Sequence, residues 1–282
     1  MEPVIADKRI ADEAQSPPPG EWGEIRAGSL GVHIAGTAKE IEAAQALRYR
    51  IFYGEMGGTP SDEVRRLRRD FDEFDAYCDH LLVLDYDRPA STGQVVGTYR
   101  LLRRSAMRAL GRFYSEGEFD ISAIKRESGE ILELGRSCVD ANYRNRAVMQ
   151  LLWRGIAAYV SLHDIKLMFG CASFIGTDVS AHAMALSYLH HYHLAPAPLR
   201  SVALPDQFVE MNLMPREAID VKEAFAALPA LIKGYLRLSG YIGHGAVIDR
   251  HCNTLDVGIV VKTELVTEKY AQRYSTPTKS DE

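Results

Sequence analysis

The spacing of apolar positions changes abruptly between residues 129 and 160. Ile131 to Val139 reads as a buried strand, and a polar turn follows that carries Asp140, Asn142 and Asn145. Val148, Leu151, Leu152, Ile156 and Tyr159 then recur at helical spacing and predict a long helix with one apolar face. A strand that runs straight into a helix leaves unpaired backbone N–H groups at the turn. That is a seat for a phosphate, which Arg144 and Arg146 are placed to reinforce.

The same reading places elements along the rest of the chain. Residues 1–28 are charged, carry Pro17, Pro18 and Pro19, and read as a disordered lead. A strand is expected over Ser29 to Ala35. Thr37, with Glu40 three residues on, then opens a helix from Ala38 to about Tyr53. An acidic approach, DFDEFDAYCD, leads into an apolar strand from His80 to Tyr86. A hairpin over Arg88 to Gly93 joins it to a second strand, Gln94 to Leu102. After a mixed segment to Ser128 comes the central strand and helix, then a strand over Lys166 to Phe174. The next helix, capped by Thr177 or Asp178, reaches about His191. Residues from Pro196 to Pro229 read as loop, Leu228 to Leu238 as a short amphipathic helix with Pro229 in its first turn, and Tyr241 to Ile248 with Leu255 to Val261 as closing strands. The pattern is a mixed α/β sheet in one domain, residues 29–270, followed by a polar tail, residues 271–282.

Composition narrows the class. The chain has 282 residues, 46% of them hydrophobic, enough for a substantial core. Its four cysteines form no Cys-x-x-Cys pair, which argues against zinc ribbons and a disulfide framework and suits a reducing cytoplasm. No secretory signal pattern is visible, and no apolar run approaches the ~18–20 residues needed to cross a bilayer. His190, His191 and His193 read as a helix C-terminus, where cationic histidine is favoured, and no metal site is expected. Net charge is −5, yet arginines cluster in VRRLRRD and in RLLRRSAMRALGR, which holds Arg103, Arg104 and Arg108. These runs read either as solvated helix faces or as a surface for an acidic partner or an anionic membrane. No nucleic-acid partner is expected. Gly-x-Gly-x-x-Gly, Gly-x-x-x-x-Gly-Lys and Gly-x-Ser-x-Gly patterns are absent, which argues against nucleotide-dependent enzymes and serine hydrolases.

Charged residues in apolar strands are costly to bury without partners. Glu133 and Arg136 are therefore site candidates, although a three-residue spacing sends them to opposite faces of a strand unless a bulge intervenes. For Glu133, chemistry and a structural salt bridge stay equally open. Asp72 and Asp75 read either as a turn pair or as a seat for a cationic substrate. The apolar faces of residues 223–242 suit the core, or equally a membrane surface.

The runs LRYRIFYGEMG, DFDEFDAYCDHLLVLD, VVGTYRLLR, GRFYSEGEFDIS, ELGRSCV, YRNRAVMQLLWRGIA, LIKGYLRLSGYIG and NTLDVGIVVKTELV resemble those of the L-ornithine N-alpha-acyltransferases, over about residues 30–274. That family is similar to a branch of the GCN5-related N-acetyltransferase superfamily and, at its core, to the acyl-homoserine-lactone synthases. The resemblance implies a mostly antiparallel mixed sheet, splayed at its centre to admit a pantetheine arm, with flanking helices. It also implies transfer of a 3-hydroxyacyl group from acyl carrier protein to L-ornithine, the first step of ornithine-lipid synthesis. The reaction is expected in the cytoplasm, with peripheral contact at the inner membrane. No cofactor is expected to reside on the protein, since 4′-phosphopantetheine arrives on the carrier.

By the same resemblance, Glu133 is the candidate base. Arg48, Asp72, Asp75, Arg100 and Arg136 match substrate-binding positions, with Arg100 for the ornithine carboxylate and Asp72 or Asp75 for its side-chain ammonium. Arg144, Asn145 and Arg146 are assigned to the phosphopantetheine, and Arg103, Arg104 and Arg108 to the carrier protein. One departure matters: Arg144-Asn145-Arg146-Ala147-Val148-Met149 lacks the glycines of the superfamily's pyrophosphate turn. Glycines let backbone wrap closely around a diphosphate. Their absence favours the single phosphate of a carrier protein over coenzyme A. Two alternatives remain: a lactone synthase using S-adenosylmethionine, and a non-catalytic acyl-carrier or lipid-binding module.

Overall fold

A computed structural model describes residues 23–89 and 93–265. In chain order the strands are β1 (Ile25–Ala27), β2 (Leu30–Ile34), β3 (Asp79–Asp85), β4 (Val95–Arg103), β5 (Phe119–Asp120), β6 (Glu130–Val139), β7 (Ile165–Ile175), β8 (Val202–Ala203), β9 (Phe208–Val209), β10 (Tyr241–Asp249) and β11 (Thr254–Lys262). The helices are α1 (Ala38–Tyr49), α2 (Asp62–Leu67), α3 (Arg104–Leu110), α4 (Ser122–Lys125), α5 (Arg146–Leu162), α6 (Ala183–His193), α7 (Val221–Ala227) and α8 (Ala230–Arg237).

All the strands join one sheet in the order β1-β2-β3-β4-β6-β7-β11-β10-β8-β5, with β9 on β10. Neighbours run antiparallel except β6 beside β7 and β8 beside β10. The alternation of β3 divides the core. Leu81 and Val83 face α5 and its Val148, Leu151, Leu152, Ile156 and Tyr159, whereas Leu82 and Leu84 face α1 and its Ala44 and Leu47. Helix α5 lies close against the sheet because Gly155 has no side chain. A Cβ there would stand 2.8 Å from Leu81 Cδ1 and 2.9 Å from Val32 Cγ2.

The expected helix at Ala38 has its capping box, Thr37 with Glu40, and its last turns widen to a π-helix over Arg50–Glu55. Several boundaries differ from the sequence reading. The lead expected to residue 28 already contains β1, which pairs with β2 through the turn at Gly28 and Ser29. A three-residue strand is too short to show alternation and exists by pairing. The stretch read as loop before Pro229 contains α7, capped by Asp220, and the short β8 and β9. Pro229 is the cap of α8 rather than a residue of its first turn. Asp178 accepts from Ser180 N, but the 3-10 turn Ser180–His182 has Val179 as its N-cap and the N-cap of α6 is His182, so neither Thr177 nor Asp178 caps α6. The expected hairpin lies partly, and the polar tail wholly, outside the described residues.

The apolar faces of residues 223–242 belong to the core. Ala224, Leu228, Ile232, Tyr235 and Leu238 are buried in the cluster that includes α5. Among the described residues no helix is long and apolar enough to cross a membrane.

Two irregularities shape the centre of the sheet. Strands β6 and β7 pair from Glu130–Ile165 to Glu133–Phe169 and then part. Beyond that point β6 stays with β4 as far as Val139, and β7 stays with β11 as far as Ile175, so a wedge opens between them. Gly170 marks the parting: a Cβ there would lie 2.2 Å from the Leu134 carbonyl oxygen. The second irregularity is a bulge. Thr98 faces Cys138 but Arg100 faces Gly135, and the extra β6 residue includes Arg136 at φ +48°.

Candidate active site

The wedge between β6 and β7 opens into a cavity of about 670 Å³. Leu134 to Val139 form one wall and Cys171 to Ile175 the other. Ile51, Phe52 and Met56 from the π-helix that continues α1 and its C-cap, and Leu231 and Tyr235 from α8, make an apolar side. Arg100, Arg136, Asp249 and Asp256 add charge. The size and the mixed lining suit a ligand with a long apolar part and a zwitterionic end.

The bulge resolves the strand-spacing problem. It turns Arg136 to the face that carries Glu133 and Arg100, and both arginines stack near the Tyr114 ring, at 5.2 and 5.5 Å. A small recess of about 40 Å³ beside the cavity is lined by Glu133, Arg100, Tyr114, Ser115 and Cys171. Glu133 is buried there and accepts from Tyr114 N (2.8 Å), Ser115 N (2.7 Å) and Ser115 Oγ (2.5 Å). Burial pushes its carboxyl above the usual range, against those hydrogen bonds and the charge of Arg100. Its partners are thus hydrogen-bond donors, not the basic partner of a salt bridge.

The remaining substrate-binding candidates form one ion-pair network beside the cavity. Arg48, fully buried, donates from Nε to Asp70 Oδ2 (2.8 Å) and from Nη2 to Asp75 Oδ1 (2.7 Å). Arg100 Nη1 reaches Asp72 Oδ1 (2.6 Å) and Asp75 Oδ2 (3.3 Å), and Arg136 Nη2 reaches Asp72 Oδ2 (3.5 Å). Asp75 Oδ2 also accepts from Asp72 N, so both Asp75 oxygens are occupied. Arg48, Asp72 and Asp75 do not line the cavity; Arg100 and Arg136 do. Burial opposes the Arg136 charge, but Asp70 and other anionic neighbours hold its pKa well above the usual range. Asp70, which sequence reasoning missed, is the anchor between Arg48 and Tyr53. Only the folded chain gathers these groups from α1, β4, β6 and the 70–75 loop.

At the start of α5, Asn145 Oδ1 accepts from Ala147 N (3.0 Å) and Val148 N (3.2 Å). Two of the amides expected to seat a phosphate thus already have a partner. Arg144 lines the cavity, donates to the Val139 carbonyl oxygen at 3.1 Å and pairs with Glu55, while Arg146 is exposed. Among the arginines assigned to the carrier, Arg104 is tied down, donating to the carbonyl oxygens of Lys125, Glu127 and Gly129. Arg103 pairs with Asp79 at 3.4 Å, and Arg108 is exposed.

A second acidic group escaped sequence reasoning. Glu118, Asp249 and Asp256 bring carboxylate oxygens within 4.8 Å of one another. They stand 131 and 7 residues apart in the chain, so no spacing could reveal them. Glu118 Oε2 and Asp256 Oδ1 are buried without a hydrogen-bond partner among the described residues. Burial, and then the neighbouring Asp256 carboxylate, push Glu118 up to about 8. Burial raises Asp256 to about 6, against the nearby hydroxyls of Ser173 and Thr254.

A family model described as an acetyltransferase (GNAT) domain matches residues 47–154. The sequence is 46% identical over 258 residues to an L-ornithine N(alpha)-acyltransferase of Agrobacterium fabrum, spanning 90% of this chain and 87% of that one. It is 47% identical over 253 residues to the protein of that name from Brucella abortus, spanning 88% and 90%. Among solved structures, a CoA-dependent acyl-homoserine lactone synthase aligns over 91% of this chain and 92% of its own, with 13% identity and a TM-score of 0.46.

Proposed function

Because the chain belongs to the family of L-ornithine N(alpha)-acyltransferases, we propose that it transfers a 3-hydroxyacyl group from acyl carrier protein to the α-amine of L-ornithine, yielding lyso-ornithine lipid. The observation that carries this reading is the open wedge between β6 and β7, apolar on one side and charged on the other.

In this reading the pantetheine arm enters the wedge and the acyl chain lies against Phe52, Met56, Leu231 and Tyr235. Its single phosphate rests near Arg144 and Arg146 at the start of α5. A turn without glycine, with two amides held by Asn145, suits one phosphate better than the diphosphate of coenzyme A. Exposed Arg108 contributes to docking of the acidic carrier. The substrate carboxylate is met by Arg100 and Arg136, the two network arginines that line the cavity. Asp72, Asp75 and Arg48 act behind them, fixing their positions.

The amine nitrogen forms a bond to the thioester carbon and the carbon–sulfur bond breaks. The amine gives up a proton, which Glu133 takes directly or through a water, and the carrier thiolate is protonated as it leaves. The bulge at Arg136 takes a residue out of the β4–β6 ladder, and in this reading a backbone N–H released there meets the developing oxyanion. We place the reaction in the cytoplasm, at the inner face of the membrane into which the product partitions.

Incubation of purified protein with 3-hydroxyacyl carrier protein and a panel of amino acids tests this by mass spectrometry. The expected product is the α-amide of ornithine with one equivalent of free carrier thiol. Absence of any amide would overturn the proposal, as would a lactone formed from S-adenosylmethionine in place of an ornithine product.

A further inference from the structure

We infer that the Glu118–Asp249–Asp256 group is the recognition site for the non-reacting side-chain ammonium of the amino-acid substrate, so that this enzyme selects diamino acids. The inference rests on the proposed acylation of an α-amine and assigns the other end of the substrate.

Three carboxylates converge with oxygens within 4.8 Å of one another, contributed by the 113–118 loop, the end of β10 and β11. Asp249 and Asp256 line the cavity. Asp256 is 5% exposed, and its Oδ1 has no hydrogen-bond partner among the described residues. A buried carboxylate oxygen left unpaired is costly and calls for a cationic ligand. The nearby protein cation is Arg136, and its guanidinium is engaged by Asp72 and lies close to Asp70. Cys171 and Cys252, which also line this part of the cavity, are held neutral, burial raising both thiols. Asp72 and Asp75 are poorer partners for an ammonium, because Arg48, Arg100 and backbone amides already occupy them. The cavity is therefore lined both by arginines from β4 and β6 and by carboxylates from β10 and β11. An amino acid whose carboxylate meets the first and whose terminal ammonium meets the second spans that pair.

Norvaline is ornithine without the terminal ammonium and provides the probe. In wild-type protein, kcat/KM with ornithine should exceed that with norvaline, and L-ornithine but not norvaline should raise Tm. In Asp256→Asn and Glu118→Gln the ornithine-to-norvaline ratio should fall on the order of 10- to 100-fold, and the Tm shift by ornithine should disappear. Without substrate at neutral pH, Asp256→Asn should melt at or above the wild-type temperature, because a buried carboxylate oxygen without a partner is gone, and Glu118→Gln should melt close to it. An unchanged ratio in both variants would overturn the assignment, as would an equal loss with both amino acids. Saturable binding of Mg²⁺, Mn²⁺ or Ca²⁺ to the wild type, lost in Asp256→Asn, would also overturn it in favour of a metal site. Should wild-type protein acylate neither amino acid, the parent reading fails instead.

Discussion

Ser115 gives both its amide and its hydroxyl to the same Glu133 oxygen, at 2.7 and 2.5 Å. Those bonds favour the ionised carboxylate, the form a base requires, while burial works the other way. Glu133→Gln should therefore lower kcat by about 10²-fold or more and reduce stability by about 1–3 kcal/mol, since an amide cannot accept all three bonds. Ser115→Ala separates the two effects. It removes one donor, raises the Glu133 pKa and should shift the acid limb of kcat/KM to higher pH. An unmoved limb, with near-normal turnover in Glu133→Gln, would leave Glu133 with a purely structural role.

Arg48 and Asp70 form a pair with almost no solvent exposure. Removing one member strands a buried charge, so Asp70→Ala should cost about 3–5 kcal/mol in urea denaturation. Replacing both by apolar residues, Arg48→Met with Asp70→Leu, should restore much of that. A double variant no more stable than Asp70→Ala would mean the pair holds the 70–75 loop in a way that packing cannot replace.

The carrier surface can be tested apart from the fold. Arg108→Glu should raise KM for acyl carrier protein several-fold with Tm unchanged, because the side chain is exposed. Arg104→Glu should lower Tm as well, since it strips donors from three carbonyl oxygens. Equal KM for wild type and Arg108→Glu would place the docking face elsewhere.

Leu231 on α8 lines the apolar side of the cavity. Leu231→Trp should shorten the longest acyl chain accepted, measured by competing donors of increasing length. An unaltered chain-length profile would show that the acyl chain leaves along another wall.

The acidic trio gives a pH signature. Glu118 moves from an ordinary 4.5 to about 8 on folding. Its contribution to stability is complete below the unfolded value and lost as pH rises through about 8. Between pH 9 and 7, where burial keeps His80, His190 and His193 neutral, Tm of the substrate-free protein should rise as pH falls. Glu118→Gln should flatten that slope, which a thermal melt series would show directly.

Much of the fold was legible in the order of the residues. The periodicity of α5, the capping box at Thr37 and the apolar runs of β3, β4, β6 and β7 are local signals that survive into the structure with boundaries shifted by a residue or two. Among the elements missed, β1, β8 and β9 are two or three residues long and exist through pairing with neighbours, and α7 is a seven-residue helix inside a stretch that its prolines made read as loop. Glu133 and Arg136 stood out because charge inside an apolar strand is conspicuous, and Arg100 through the family resemblance. Asp70 did not, because one aspartate in an acidic run looks like any other.

Local sequence determined the long strands and helices, and its motifs pointed to the family, since both rest on neighbours within a few residues or on runs that can be read directly. The tertiary structure decided the site. A one-residue bulge chose the face on which Arg136 falls, and the parting of β6 from β7 made the cavity. Asp72 and Asp75 turned out to be bound to arginines, while Glu118 and Asp256, from opposite halves of the chain, each keep one buried carboxylate oxygen without a partner among the described residues. Electrostatic partners are set by distance in space, and distance along the chain carries almost no information about it.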